Sequence, residues 1–188
     1  PIEPNRGVAL ELARKAVAID PNDAGCRWVL ANLLAYDRNF DAADAEFARA
    51  IELDPNEADT WATLSDIETL AGRIDKALAD IRKAFRLNPF PPSWYFLTLG
   101  QAQYAARDYE AAVETLRREE TYRTSSRRFL AASLAQLGRL EEARTEVEFF
   151  LVANPHFSTR YWVETEPFRD DATMGHFVEG FRKAGLPE

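Results

Sequence analysis

The sequence predicts an all-α solenoid, a stack of helix-turn-helix hairpins finished by a C-terminal capping helix, and three observations carry that prediction. Pro21, Pro55 and Pro89 stand thirty-four residues apart, twice in succession, each behind an acidic or amide residue at the end of an alanine-rich stretch. A fixed period of this size marks units too small to bury an apolar face alone, which must stack on their neighbours. Small and large residues also recur in register ahead of the prolines. Ala43, Phe47, Ala50 and Pro55 return as Ala77, Ile81, Ala84 and Pro89, earlier as Ala9, Ala13, Ala16 and Pro21, and later as Ala143, Val147, Phe150 and Pro155. Finally, apolar residues fall at helical spacing, and no run alternates with period two.

Residues 7–22 read as the second helix of an incomplete hairpin, with Ala9, Leu12, Ala13 and Ala16 lacking the first helix they would pack against. An upstream repeat is therefore expected, and a chain that starts at Pro1 without an initiator methionine reads as cut from a longer polypeptide. Four hairpins follow, at 23–56, 57–91, 92–123 and 124–156. Their first helices carry a ladder of their own: Trp61, Leu64 and Ser65, then Phe96, Leu99 and Gly100, with weaker copies at Leu30, Ala31, Leu34 and at Leu130, Ala131, Leu134.

Asn39, Gly72, Arg107-Asp108 and Gly138 interrupt the pattern between paired helices. Alanine or glycine stands where the two helices of a hairpin cross, because close backbones leave no room for more; overpacking there costs roughly 1 to 3 kcal/mol. The prolines end each second helix by withholding a donor and by disfavouring helical dihedrals in the residue before them.

Two departures fall in the third hairpin. Pro91-Pro92 inserts one residue ahead of it, and Ala143 follows Ala112 by only thirty-one, with Thr124 where a proline is due. A local change in the superhelical turn is expected there. Residues 157–188 form the cap: a short helix over 157–163, a turn at Glu166-Pro167-Phe168, and a last helix over 170–184. Met174, Phe177, Val178 and Phe181 mark one face of that helix, and Gly185 and Pro187 stop it. This cap is expected to shield the open end of the last repeat.

Over residues 9 to 155 these ladders resemble the tetratricopeptide repeat, whose pattern is W-x2-L-G-x2-Y, then A-x3-F, then P. The resemblance implies a right-handed superhelix whose first helices line a concave groove. A narrower likeness lies in the second half. Asn88-Pro89-Phe90-Pro91-Pro92-Ser93-Trp94-Tyr95, Arg128-Phe129-Leu130-Ala131-Ala132, Gln136-Leu137-Gly138-Arg139-Leu140, Glu166-Pro167-Phe168 and Gly185-Leu186-Pro187-Glu188 look like the C-terminal repeat region of bacterial multidomain adenylate or guanylate cyclases and of related winged-helix regulators. That likeness implies a non-catalytic part of a bacterial signalling protein.

The 188 residues are enough for about five units in one continuous domain, and the formal net charge of -8 argues against a nucleic-acid partner, which needs clustered cations. No segment approaches the roughly twenty apolar residues of a membrane-spanning helix. Cys26 is the only cysteine, so no internal disulfide forms, and a reducing cytoplasm suits the chain.

Chemistry is sparsely represented. His156 and His176 have no metal-ligand spacing, Asp59 and Asp66 share a helix face without a cleft to tune them, and phosphate loops and nucleophile triads are missing. The expectation is a protein that is not an enzyme, with no cofactor and no metal.

The groove is then the candidate site. Its wall is assigned to Trp28, Asn32 and Tyr36 in one unit, Asp59 and Asp66 in the next, Trp94, Gln101 and Tyr104 in the third, and Arg128 in the fourth. Aromatic anchors supply binding energy and polar groups fix register, as a peptide surface requires. Trp94 and Tyr95 have an alternative role, plugging the gap made by the proline insertion. At the places where chaperone-binding relatives hold a carboxylate with lysine and asparagine, this chain has Trp28, Asn32, Thr63, Trp94 and Thr98, so a basic or aromatic-bearing protein segment fits better.

A second surface is the cluster Arg117, Arg118, Arg123, Arg127 and Arg128, with Glu119 and Glu120 as the nearest counter-charges in sequence. Besides partner binding, a structural role remains open: self-association, including a homodimer through the unpaired N-terminal helix, that assembles or regulates a parent enzyme.

Overall fold

A computed structural model describes residues 3–118 and 124–188. Among these residues all regular structure is helical. The helices are α1 (Glu3–Ile19), α2 (Ala24–Tyr36), α3 (Phe40–Leu53), α4 (Ala58–Leu70), α5 (Ile74–Leu87), α6 (Ser93–Ala105), α7 (Tyr109–Leu116), α8 (Arg127–Gln136), α9 (Leu140–Ala153), α10 (Thr159–Thr165) and α11 (Asp171–Ala184). Four hairpins pair α2 with α3, α4 with α5, α6 with α7 and α8 with α9, and the first helices α2, α4, α6 and α8 pack side by side along the stack. α1 packs on α2.

The repeated residues make these contacts for steric reasons. Ala43, Ala77, Ala112 and Ala143 are buried at the hairpin crossings, and the bulky position four residues on holds Phe47, Ile81, Leu116 and Val147 in the core. In the third hairpin the fit is close: a Cβ added to Gly100 would come within 2.4 Å of the Leu116 side chain. Asp54 and Asn88 take extended backbone before Pro55 and Pro89 and end α3 and α5. Side-chain caps start some of the helices. Asp23 accepts from the Cys26 amide at 2.7 Å, Asp108 from Ala111 at 3.3 Å and Asp170 from Thr173 at 2.6 Å.

Each hairpin turns through one left-handed residue: Arg38 (φ 59°), Gly72 (φ 77°), Arg107 (φ 64°) and Gly138 (φ 76°). The disturbance expected in the third hairpin shows as length, since α7 has 8 residues where α3, α5 and α9 each have 14. Arg123, Glu119 and Glu120 lie outside the described residues.

The cap differs from expectation in detail. α11 forms as predicted, with Phe177 and Phe181 fully buried, but its inner face is completed by His176 and Gly180 rather than by Val178. It packs on α8 and α9, the two helices of the last repeat, and also reaches α6. Gly180 permits this approach, because a Cβ there would overlap the Tyr104 hydroxyl. Between α10 and α11 the irregular segment 166–170 runs back to the first repeats. Arg169 donates its amide to the Leu70 carbonyl (3.2 Å), and the Arg169 guanidinium pairs with Asp41 and Asp44. The trough that the sequence leaves open is bridged by the chain's own C-terminal segment.

Candidate functional site

Tyr36 at the end of α2, Asp66 on α4, Trp94 and Gln101 on α6 and Arg128 in the first turn of α8 converge on one cavity of about 230 Å³, with Leu97 and Thr98. Repeat register brings them together. Asp66 and Gln101 stand thirty-five positions apart, one period plus the proline insertion, so they are neighbours on adjacent first helices, and Gln101 Nε2 donates to Asp66 Oδ1 at 3.0 Å. The far wall is Trp162 and Glu166, from the C-terminal segment.

Burial dominates the electrostatics. It pushes the Asp66 carboxyl up to about 7, with the neighbouring Glu166 charge adding to the effect and Arg128 opposing it. Glu166 is itself raised by burial. Burial also lowers Arg128, whose Nε is shut off from solvent without a hydrogen-bond partner among the described residues. Its guanidinium lies instead over the rings of Phe129 (4.6 Å) and Trp162 (5.6 Å). Two carboxyls thus face one guanidinium between the rings of Trp94, Trp162 and Tyr36.

The other assigned residues lie elsewhere. Trp28 is partly buried against the core of the first complete repeat, and Asn32 is half-buried on α2, outside the cavity. Asp59 accepts a hydrogen bond from the Tyr95 hydroxyl at 2.6 Å, and Tyr95 is fully buried, so it takes the plugging role. Tyr104 requires correction as a wall residue: it has no exposed surface, its ring stacks on His176 (centroids 4.7 Å apart), and its hydroxyl donates to the His176 carbonyl at 3.1 Å. The returning α11 has covered it.

The arginine cluster finds counter-charges a helix away. Arg117 pairs with Glu142 and Arg127 with Glu146, both on α9. Cys26 is not an activated thiol; burial and the adjacent Asp23 push it up. His176 is a buried core residue, lowered by burial.

Sequence reasoning missed Glu166, Trp162 and the contacts that hold the segment between them and α11. Arg38 donates to the carbonyls of Phe168 (3.1 Å), Glu166 (3.1 Å) and Glu164 (3.4 Å), and Arg6 to that of Thr165 (3.3 Å). The available signal was the arginine at position 38, where the second and fourth hairpins carry glycine.

Residues 24–57 and 58–91 match the family model of the tetratricopeptide repeat, and these two hairpins are repeats of that kind. Among solved structures, YrrB, described as a TPR protein with an unusual peptide-binding site, is similar with a TM-score of 0.61 at 23% identity over 94% of this chain and 92% of that one. Pseudomonas aeruginosa pilF is similar with a TM-score of 0.68 at 20% identity, covering 97% and 81%. TTC0263, a thermophilic TPR protein of Thermus thermophilus, gives 0.70 at 18% identity, covering 94% and 91%. These likenesses establish the fold, an all-helical solenoid. No curated protein matches the sequence. None of the described helices is long and apolar enough to cross a membrane.

Proposed function

We propose that the chain is a non-catalytic interaction module that takes a protein or peptide partner on the face lined by its first helices, with a basic or aromatic side chain entering the cavity between Asp66, Glu166 and Trp94. One observation carries this reading: residues from four successive hairpins, far apart in sequence, converge on a single polar cavity walled by rings. Stability alone does not call for such a convergence, since two buried carboxyls beside each other oppose folding. The peptide-binding description of the similar YrrB structure supports the class of partner.

The test is an array of short peptides with lysine, arginine, tyrosine or tryptophan at their centres, presented to the intact chain. Trp94→Ala and Asp66→Asn are expected to keep the helical circular dichroism and to weaken the best peptide by roughly tenfold, about 1.4 kcal/mol. Unchanged binding by both variants contradicts the reading.

A second reading is favoured by the N-terminal helix. Val8, Leu12 and Ile19 are 56%, 59% and 86% exposed along α1, a stripe suited to an upstream repeat or a second copy. Self-association through it would make the module a structural element of its parent protein. Sedimentation decides: concentration-dependent dimers abolished by Leu12→Glu support it, and a monomer at every concentration refutes it. That the parent is a bacterial cytoplasmic signalling protein, such as a nucleotide cyclase, is our inference from the sequence strings at 88–95, 128–132 and 136–140.

A further inference from the structure

The segment 166–170 is held in the manner of a bound peptide. It is irregular, with a tight turn over Pro167 closed by the Phe168 amide donating to the Glu166 carbonyl (2.9 Å); Arg38 grips the carbonyls of Glu166 and Phe168, and the Arg169 amide donates to Leu70. Its side chains are read as well. Glu166 accepts from the Tyr36 hydroxyl at 3.2 Å and Arg169 pairs with Asp41 and Asp44, while the Phe168 ring packs within the C-terminal region, edge-on against Trp162 of α10 (centroids 5.4 Å apart). The grip has a backbone cost. Arg38 sits in left-handed conformation, and its amide donates to Ala35 just as Gly72 donates to Thr69 and Gly138 to Ala135 at the same turn of other hairpins. Glycine adopts that conformation freely, whereas a side chain there is strained, so retaining arginine at 38 trades turn stability for a guanidinium aimed at carbonyls.

We propose that the turn between α2 and α3 is a main-chain receptor for a non-helical peptide, turned at its proline and supplied in trans, and that its partner carries an acidic residue, a proline, an aromatic and a base in succession, the chemistry of residues 166–169. This rests on the reading that the first-helix face takes peptides, and it assigns the ligand for the turn at the edge of that face, beside the cavity. The chain's own segment occupies the receptor as a resident competitor. A basic ligand residue suits the acidic pair Asp41 and Asp44, and an aromatic one the ring of Trp162 on α10, the contacts that Arg169 and Phe168 make in cis.

The probe is a labelled synthetic peptide copying residues 163–171, titrated into the intact chain. In cis the segment competes at an effective concentration of roughly a millimolar, so the wild-type chain binds the probe weakly. Glu166→Ala with Arg169→Ala loosens the resident segment, and this variant is expected to bind the probe at least about tenfold more tightly. Adding Arg38→Gly, which relieves the turn while removing the guanidinium, is expected to abolish that gain. Failure of the loosened chain to bind, or binding indifferent to Arg38, overturns the proposal.

A measurement on the wild-type chain guards against misfolded variants. Excess probe is expected to speed hydrogen exchange at the Arg169 amide, which leaves Leu70 when the resident segment is replaced; unaltered exchange overturns the proposal. Loss of array binding in Trp94→Ala with no binding of this probe would sink the trans receptor alone, and the reverse pattern would sink the cavity reading alone.

Discussion

The Tyr36 hydroxyl donates to Glu166 Oε2 across 130 positions of sequence, joining the first complete hairpin to the segment that closes the trough. Tyr36→Phe deletes that donor without changing the ring. The expected loss is about 1 kcal/mol in denaturant unfolding, together with faster hydrogen exchange over 164–170. Unchanged stability and exchange would mean that the segment is held by its other contacts alone.

The buried acids should make the fold sensitive to pH. Asp66 is raised to about 7 by burial and the nearby Glu166, far above the roughly 3.9 of an exposed aspartate. The folded state thus holds a proton that the unfolded chain has released, and stability falls as pH climbs from about 4 to about 7. Glu166, and Asp80 at about 6, act with the same sign. Asp66→Asn keeps an oxygen to accept from Gln101 and is expected to flatten this decline, gaining most on the wild type near pH 8. A stability difference between the two proteins that stays constant with pH contradicts the assignment.

Two glycines five residues apart on α11 separate packing from propensity. Gly180→Ala puts a methyl into the Tyr104 hydroxyl and is expected to cost about 1 to 3 kcal/mol, while Gly175→Ala meets nothing and is expected to gain about 0.5 to 1 kcal/mol. Thermal unfolding of the two variants measures the contrast. Equal effects would show that α11 does not rest on α6.

Much of the stack was legible in the sequence because short-range chemistry writes it. The alanine, bulky and proline steps specify crossings and helix ends within one period, and that register also placed Tyr36, Asp66, Trp94, Gln101 and Arg128 around one cavity. The closing segment was not legible. Glu166-Pro167-Phe168 reads locally as a turn, and its path is set by Arg38 and Leu70, about a hundred and more positions away. Tyr104 was assigned to the wall because its fate depends on Gly180, whose meaning is the space it leaves.

The left-handed arginines make a further pair. Arg107 makes no side-chain hydrogen bond among the described residues, so Arg107→Gly is expected to stabilise by about 1 kcal/mol through relief of its positive φ. Arg38→Gly is expected to show no such gain, because it gives up three carbonyl contacts. Denaturant midpoints of the two variants test this, and equal gains would show Arg38 to be idle.

The return of the C-terminal segment to the first repeats is tested most directly by a cross-link. A Cβ built at Gly72 lies 3.0 Å from Asp170 Cβ, closer than the roughly 3.5 to 4.5 Å of disulfides, so the two turns need only ease apart slightly for a bond to close. With Cys26→Ser, the pair Gly72→Cys and Asp170→Cys is expected to oxidise within a single chain, giving a monomeric species that migrates faster without reductant. Free thiols, or bonds only between chains, would show that the trough stands open.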